Sequence, residues 1–114
     1  MQNQIDEQEQ FAEANVMQWM SKREQNYQPK AHYLSWQPQM SANMRAVLLD
    51  WMAEVCEEYR VHRETYHISV NYVDRFLTKF HSLPRDKLQL LGIVALFVAS
   101  KFEVCFGMLR YLIY

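Results

Sequence analysis

Residues able to do acid–base, nucleophilic or metal chemistry are scattered along the 114-residue chain. His62 and His67 lack the spacing of a zinc-binding His-Glu-x-x-His helix. Cys56 falls on an apolar helical face, the usual setting of a core thiol and not of a nucleophile. Two glycines provide no phosphate-cradling loop. No catalytic residue, metal site or cofactor is therefore expected. Arg45 is the charged side chain whose position most needs explaining. At roughly 100° per residue it points among Leu49, Met52 and Cys56. A guanidinium there either lays its stem on apolar surface and keeps its head in water, or pairs with a carboxylate, because an unpaired buried charge is very costly. Asp74, at the edge of the next apolar helical face beside Val70 and Leu77, is the best-placed acid.

The elements that must position these groups are helices. Residues 44–59 carry a wide apolar arc of Met44, Val47, Leu48, Trp51, Val55 and Tyr59, with a second arc of Leu49, Met52 and Cys56 beside it. That is more apolar surface than one neighbour can cover, so one arc can face a core while part of the other stays open to a partner. The plainer alternative, that Met44, Leu48 and Trp51 are ordinary core, stands beside this one. Ser41 or Asn43 supplies the N-cap. A second helix over about 64–80 has an apolar face of Tyr66, Val70, Val73, Leu77 and Phe80. The loop at 81–85 leads through Pro84 into a third helix expected over 86–103. Its stretch 88–99 is apolar nearly all round, too short at about a dozen residues to span a bilayer and suited to enclosure by other helices. Gly92 would permit a close helix crossing there.

Ahead of these, residues 1–10 are Gln- and Glu-rich and expected to be disordered or frayed, with no character of a signal peptide. Residues 11–36 read as an amphipathic helix with Val16, Trp19, Met20 and Arg23 on one face, followed by an extended connector tacked down by aromatic side chains. Residues 104–114 are hydrophobic and read as the tail of a domain cut short. The net charge of −1 offers no electrostatic case for nucleic acid or an anionic membrane, and two cysteines without CxxC spacing suit a reducing interior.

Several runs, in order and spacing, resemble the N-terminal cyclin box over roughly 37–103: Met44-Arg45-Ala46-Val47-Leu48-Leu49-Asp50-Trp51, Glu54-Val55, His62-Arg63-Glu64-Thr65, Asp74-Arg75-Phe76-Leu77, Lys87-Leu88-Gln89-Leu90 and Ala99-Ser100-Lys101-Phe102-Glu103. Glu54-Val55-Cys56-Glu57 with His62-Arg63-Glu64-Thr65 is most similar to E-type cyclins, while Asn71-Tyr72-Val73-Asp74-Arg75-Phe76-Leu77 is equally like the A and B types.

The resemblance implies an all-α fold, a five-helix bundle whose third helix is central. It implies a regulatory subunit that binds and activates a cyclin-dependent serine/threonine protein kinase in the cell cycle, in the nucleus and also the cytoplasm, without catalysis of its own. Arg45 and Asp74 match a buried ion pair between the first two box helices. Met44, Val47, Leu48 and Trp51, with Glu54 and Gln89, match a hydrophobic patch that docks Arg-x-Leu motifs of substrates and inhibitors, with Arg85 as a further contributor. Lys101, Phe102 and Glu103 match the kinase-facing surface, with Lys101 placed at the end of its helix. Where the family continues Lys-Phe-Glu-Glu-Ile-Tyr-Pro-Pro, this chain has Val104-Cys105-Phe106-Gly107, so the expectation is a partial box with its last two helices missing or altered.

Overall fold

The computed structural model describes the backbone of residues 2–113 and the side chains of residues 2–105. Among the described residues the architecture is all-α: helix α1 (Gln2–Glu24), α2 (Ala42–Glu58), α3 (Arg63–Lys79) and α4 (Leu88–Ile113), with 3-10 turns at Gln25–Tyr27, Tyr33–Trp36 and Arg85–Lys87.

Helix α1 begins at Gln2, not near Phe11, because the Gln, Glu, Ala and Met that fill it are all good helix formers. It buries none of its residues, and Phe11, Val16, Trp19 and Met20 stay exposed. Beyond it the chain is fastened along α3. The Asn71 side chain donates to the Tyr27 carbonyl (3.0 Å), Arg75 stacks over the Tyr27 ring at 5.1 Å, and the Lys30 N–H reaches the Thr78 hydroxyl (3.3 Å).

Ser41, not Asn43, caps α2: its hydroxyl accepts from the Met44 N–H at 3.2 Å, satisfying a donor that the first turn leaves free. At the other end Arg60 adopts φ 54°, and the Val61 and Arg60 N–H groups return to the carbonyls of Cys56 (2.8 Å) and Glu57 (3.3 Å). This is a Schellman closure with arginine where glycine is the usual choice.

Three helices share one core. Leu48, Met52 and Cys56 of α2 meet Val73 and Leu77 of α3 and Leu88, Ala95 and Leu96 of α4, with Tyr33, Met40 and Leu83 closing the ends. Gly92 sits where α4 crosses α2. A Cβ there would lie 3.1 Å from Leu48 Cδ1 and 3.3 Å from Met52 Sδ, so the missing side chain sets how near the two axes can come. The inner face of α3 is rotated from the one expected. Thr65, Ser69, Val73, Asp74 and Leu77 are buried, while Phe76 and Phe80 point outward and stack on each other at 5.3 Å. Small, self-satisfied Ser69, whose hydroxyl donates to the Tyr66 carbonyl, fits this tight interface better than an aromatic ring would.

Helix α4 differs from expectation in two ways. It runs through 104–113 as one helix, with no proline to break it, so the length limit inferred for 88–99 does not hold. Arg85–Cys105 is long and apolar enough to cross a membrane by length and composition, a test that core helices also pass. Enclosure is one-sided: Leu88, Gly92, Ala95, Leu96 and Ala99 are buried, but Leu90, Ile93, Val94, Phe97 and Val98 are exposed among the described residues. Two neighbouring helices can cover only part of a helix that is apolar all round.

Candidate functional site

Two sets of residues stand out, and α4 runs between them. The first lies where α2 meets the start of α4. Here Asn43, Met44, Val47, Leu48, Trp51, Arg85, Leu88 and Gln89 line an open groove of about 360 Å³. The α2 residues reach it because 43, 47 and 51 recur at four-residue intervals and 44 and 48 lie alongside. Leu48 is only 6 % exposed and serves as core and floor together, whereas Val47 is 61 % exposed and forms an open wall. Met44 and Trp51 are half-buried, leaning on the core from its edge. The groove thus draws its floor from the core and its walls from side chains the core leaves partly bare. Of the six residues expected in the docking patch, five line it together. Glu54 does not: it is exposed on the same stripe of α2, one turn beyond Trp51.

The start of α4 is held in place by the connector. Gln37 is 1 % exposed, and its Nε2 donates to the carbonyls of Leu77 (2.9 Å) and Phe80 (2.5 Å) while its Oε1 accepts from the Leu83 N–H (2.8 Å). One amide therefore closes the C-terminus of α3 and fixes the loop after it. Gln39 Oε1 accepts from the Arg85 N–H (3.1 Å), and the Ser82 N–H donates to the Trp36 carbonyl (3.1 Å). Ser82 itself takes φ 64°, a left-handed conformation that turns the chain toward α4. Sequence patterning gave no reason to single out Gln37 or Gln39.

Through Arg45, which does not line the groove, α2 and α3 are tied by charge. Arg45 Nε donates to Asp74 Oδ1 (2.9 Å) and its terminal nitrogen to Oδ2 (2.6 Å), a two-pronged pairing. The Tyr33 hydroxyl also donates to Oδ1. Asp74 is buried, while the Arg45 side chain keeps 31 % of its surface. The hydrogen bond to Asp74 raises the Arg45 pKa further, so the guanidinium stays charged. Burial, followed by the bond to Asp74, pushes the Tyr33 phenol well above its usual range. Burial likewise raises the Cys56 thiol, which favours the protonated, unreactive form. Among the described residues no three acidic, histidine or cysteine side chains gather as a metal site would need.

The second set, Lys101, Phe102 and Glu103, lies farther along α4. Lys101 is not at a helix end, because α4 continues past it, so it caps no free carbonyls. Its ammonium sits 4.6 Å from the Phe97 ring centre instead. Lys101 and Phe102 are exposed and Glu103 is partly buried. At 1.5 Å per residue, the twelve positions from Gln89 to Lys101 separate the two sets by about 18 Å along the helix.

The family described as "Cyclin, N-terminal domain" matches residues 15–114, reaching beyond 37–103 at both ends. The chain is 46% identical over 88 residues to the G1/S-specific cyclin-E1 of Mus musculus and 46% identical over 90 residues to the Cyclin-A2 of Gallus gallus. It is 43% identical over 89 residues to the G2/mitotic-specific cyclin-A of Patella vulgata. These alignments cover 77%, 79% and 78% of the chain. The chain spans about a fifth of the length of these curated relatives, 22%, 22% and 21% respectively. Equal identity to an E-type and an A-type relative means that residue matching does not separate the two.

Proposed function

The chain belongs to the cyclin family, and from that premise we propose that it is a non-catalytic regulatory partner of a cyclin-dependent serine/threonine protein kinase, acting in the nucleus. The α2–α4 groove docks Arg-x-Leu segments of substrates and inhibitors, and Lys101, Phe102 and Glu103 contribute to the kinase contact. The observation that carries this reading is the groove: an apolar floor with walls left partly bare, rimmed by Asn43 and Gln89 for the backbone of an extended peptide. Glu54, one turn beyond Trp51, is placed for the peptide's basic residue. The separation of about 18 Å along α4 lets both contacts be made at once.

A second reading is a helical docking module that binds such peptides without activating a kinase. The uninterrupted α4 favours it, since Lys101 then lies inside a helix and not at the helix end where the resemblance sets a kinase-contacting lysine. Mixing the purified chain with a cyclin-dependent kinase, and following both complex formation and phosphorylation of an Arg-x-Leu substrate, separates the two. Complex and stimulated phosphorylation support the first reading. Peptide binding without stimulation supports the second. A folded chain that binds neither kinase nor peptide refutes both. Met44→Ala with Trp51→Ala should remove docking and leave the helical signal near that of the parent.

A further inference from the structure

We infer that the α2–α4 groove is filled in solution by a second copy of this chain, through its segment Arg110-Tyr111-Leu112-Ile113, so that the chain limits its own access to docking partners. The inference rests on the docking reading above and names an occupant that reading leaves open. Among the arginines of the sequence, two are followed by leucine two positions on: Arg75-Phe76-Leu77 and Arg110-Tyr111-Leu112. The first cannot dock. Leu77 is 0 % exposed in the core, and Arg75 is stacked over the Tyr27 ring. The second lies beyond the described side chains, in the run 108–114, which is apolar except for that one cation. This is the chemistry the groove suits: a floor of Leu48 between half-buried Met44 and Trp51, with Glu54 one turn beyond for a single positive charge.

To dock as an extended peptide, residues 108–114 must leave α4. Gly107, a poor helix former just ahead of them, is where they part from it. Upstream, Leu88, Ala95, Leu96 and Ala99 are buried in the core and keep the first half of α4 helical. These lengths decide which copy supplies the segment. Gly107 is nineteen positions from Leu88, about 28 Å along the helix. Leu112 is five residues past Gly107, and five extended residues reach back only about 17 Å. The chain cannot fill its own groove while α4 stays helical to Gly107, so the occupant comes from another copy. Two copies with their α4 helices antiparallel bring each segment to the other's groove and close as a twofold dimer.

Sedimentation velocity of the full 114-residue chain over a range of concentrations reads the association, and fluorescence anisotropy of a labelled Arg-x-Leu peptide reads the open grooves. The parent should dimerise as concentration rises, and excess unlabelled peptide should return it to monomer. Leu112→Ala should stay monomeric, and so should Met44→Ala with Trp51→Ala. An equimolar mixture of these two variants should nevertheless form a 1:1 complex, since one keeps the groove and the other the segment. Leu112→Ala should also bind the labelled peptide about 3- to 10-fold tighter than the parent, at a concentration where roughly a tenth to a third of the parental grooves stay open. If Leu112→Ala loses helical signal, Arg110→Glu, which keeps the leucine, takes its place with the same expected outcomes. A parent that is monomeric throughout, or a dimer that survives the segment variants, overturns the inference, and peptide binding then leaves the docking reading intact. If the peptide binds neither the parent nor the segment variants, the docking reading itself fails and this inference falls with it.

Discussion

The Arg45–Asp74 pair makes an asymmetric prediction about its two halves. Asp74 is buried and receives three hydrogen bonds, whereas almost a third of the Arg45 side chain meets solvent. Arg45→Met strands a carboxylate in the core with only the Tyr33 hydroxyl to satisfy it, a loss of about 3–5 kcal/mol, as for other buried charges deprived of a partner. Asp74→Asn leaves a guanidinium that can swing its head into water and an amide that can still accept from Tyr33, so the cost should be nearer 1–2 kcal/mol. Removing both with Arg45→Met and Asp74→Asn should cost less than the sum by about 2 kcal/mol, because no stranded charge remains. Urea unfolding followed by circular dichroism at 222 nm yields all four corners of the cycle. The reasoning is refuted if Asp74→Asn costs as much as Arg45→Met, or if the two changes simply add. Either result would mean that desolvation does not govern this pair.

Further outcomes follow from the other contacts. Gln37→Leu deprives the Leu83 N–H and two α3 carbonyls of their partner, so a loss of about 2–4 kcal/mol and faster hydrogen exchange at the Leu83 amide are expected. Arg60→Gly relieves a left-handed residue at the end of α2 and should stabilise by about 1 kcal/mol, read as a higher urea midpoint. The raised Tyr33 pKa gives an alkaline limit. The unfolded chain releases this proton near pH 10 while the folded chain keeps it, so the contribution is whole below about pH 10 and lost as pH rises toward the folded value. Melting temperatures between about pH 8 and pH 11 should fall at the upper end. Tyr33→Phe should flatten part of that fall, the remainder coming from Tyr66, which burial shifts in the same direction.

What could be read beforehand was whatever repeats with helical period. The bodies of α2, α3 and α4 came from apolar spacing, and the Arg45 pairing came from a cation pointing the wrong way on such a helix. Gly92 was legible for a similar reason, as a gap in a strongly apolar run. The rotated inner face of α3 was not legible. Periodicity ranks side chains by apolarity, whereas packing there favours Ser69 and Thr65, which let backbones approach. The connector was opaque because its hold on α3 runs through amide-to-carbonyl bonds, which any sequence can accept. Lys101 was misplaced because the helix runs on from Glu103 through Ile113.

The glutamine at position 37 also says where an independently folding piece must begin. Trimming up to about residue 24 removes a helix that buries nothing and should leave the remainder intact. Cutting past residue 37 would instead open the α3–α4 corner, although every core-forming helix was still present. A domain boundary drawn at the first packed helix would therefore fall inside the smallest stable unit, whose true edge is the non-helical strap ahead of it.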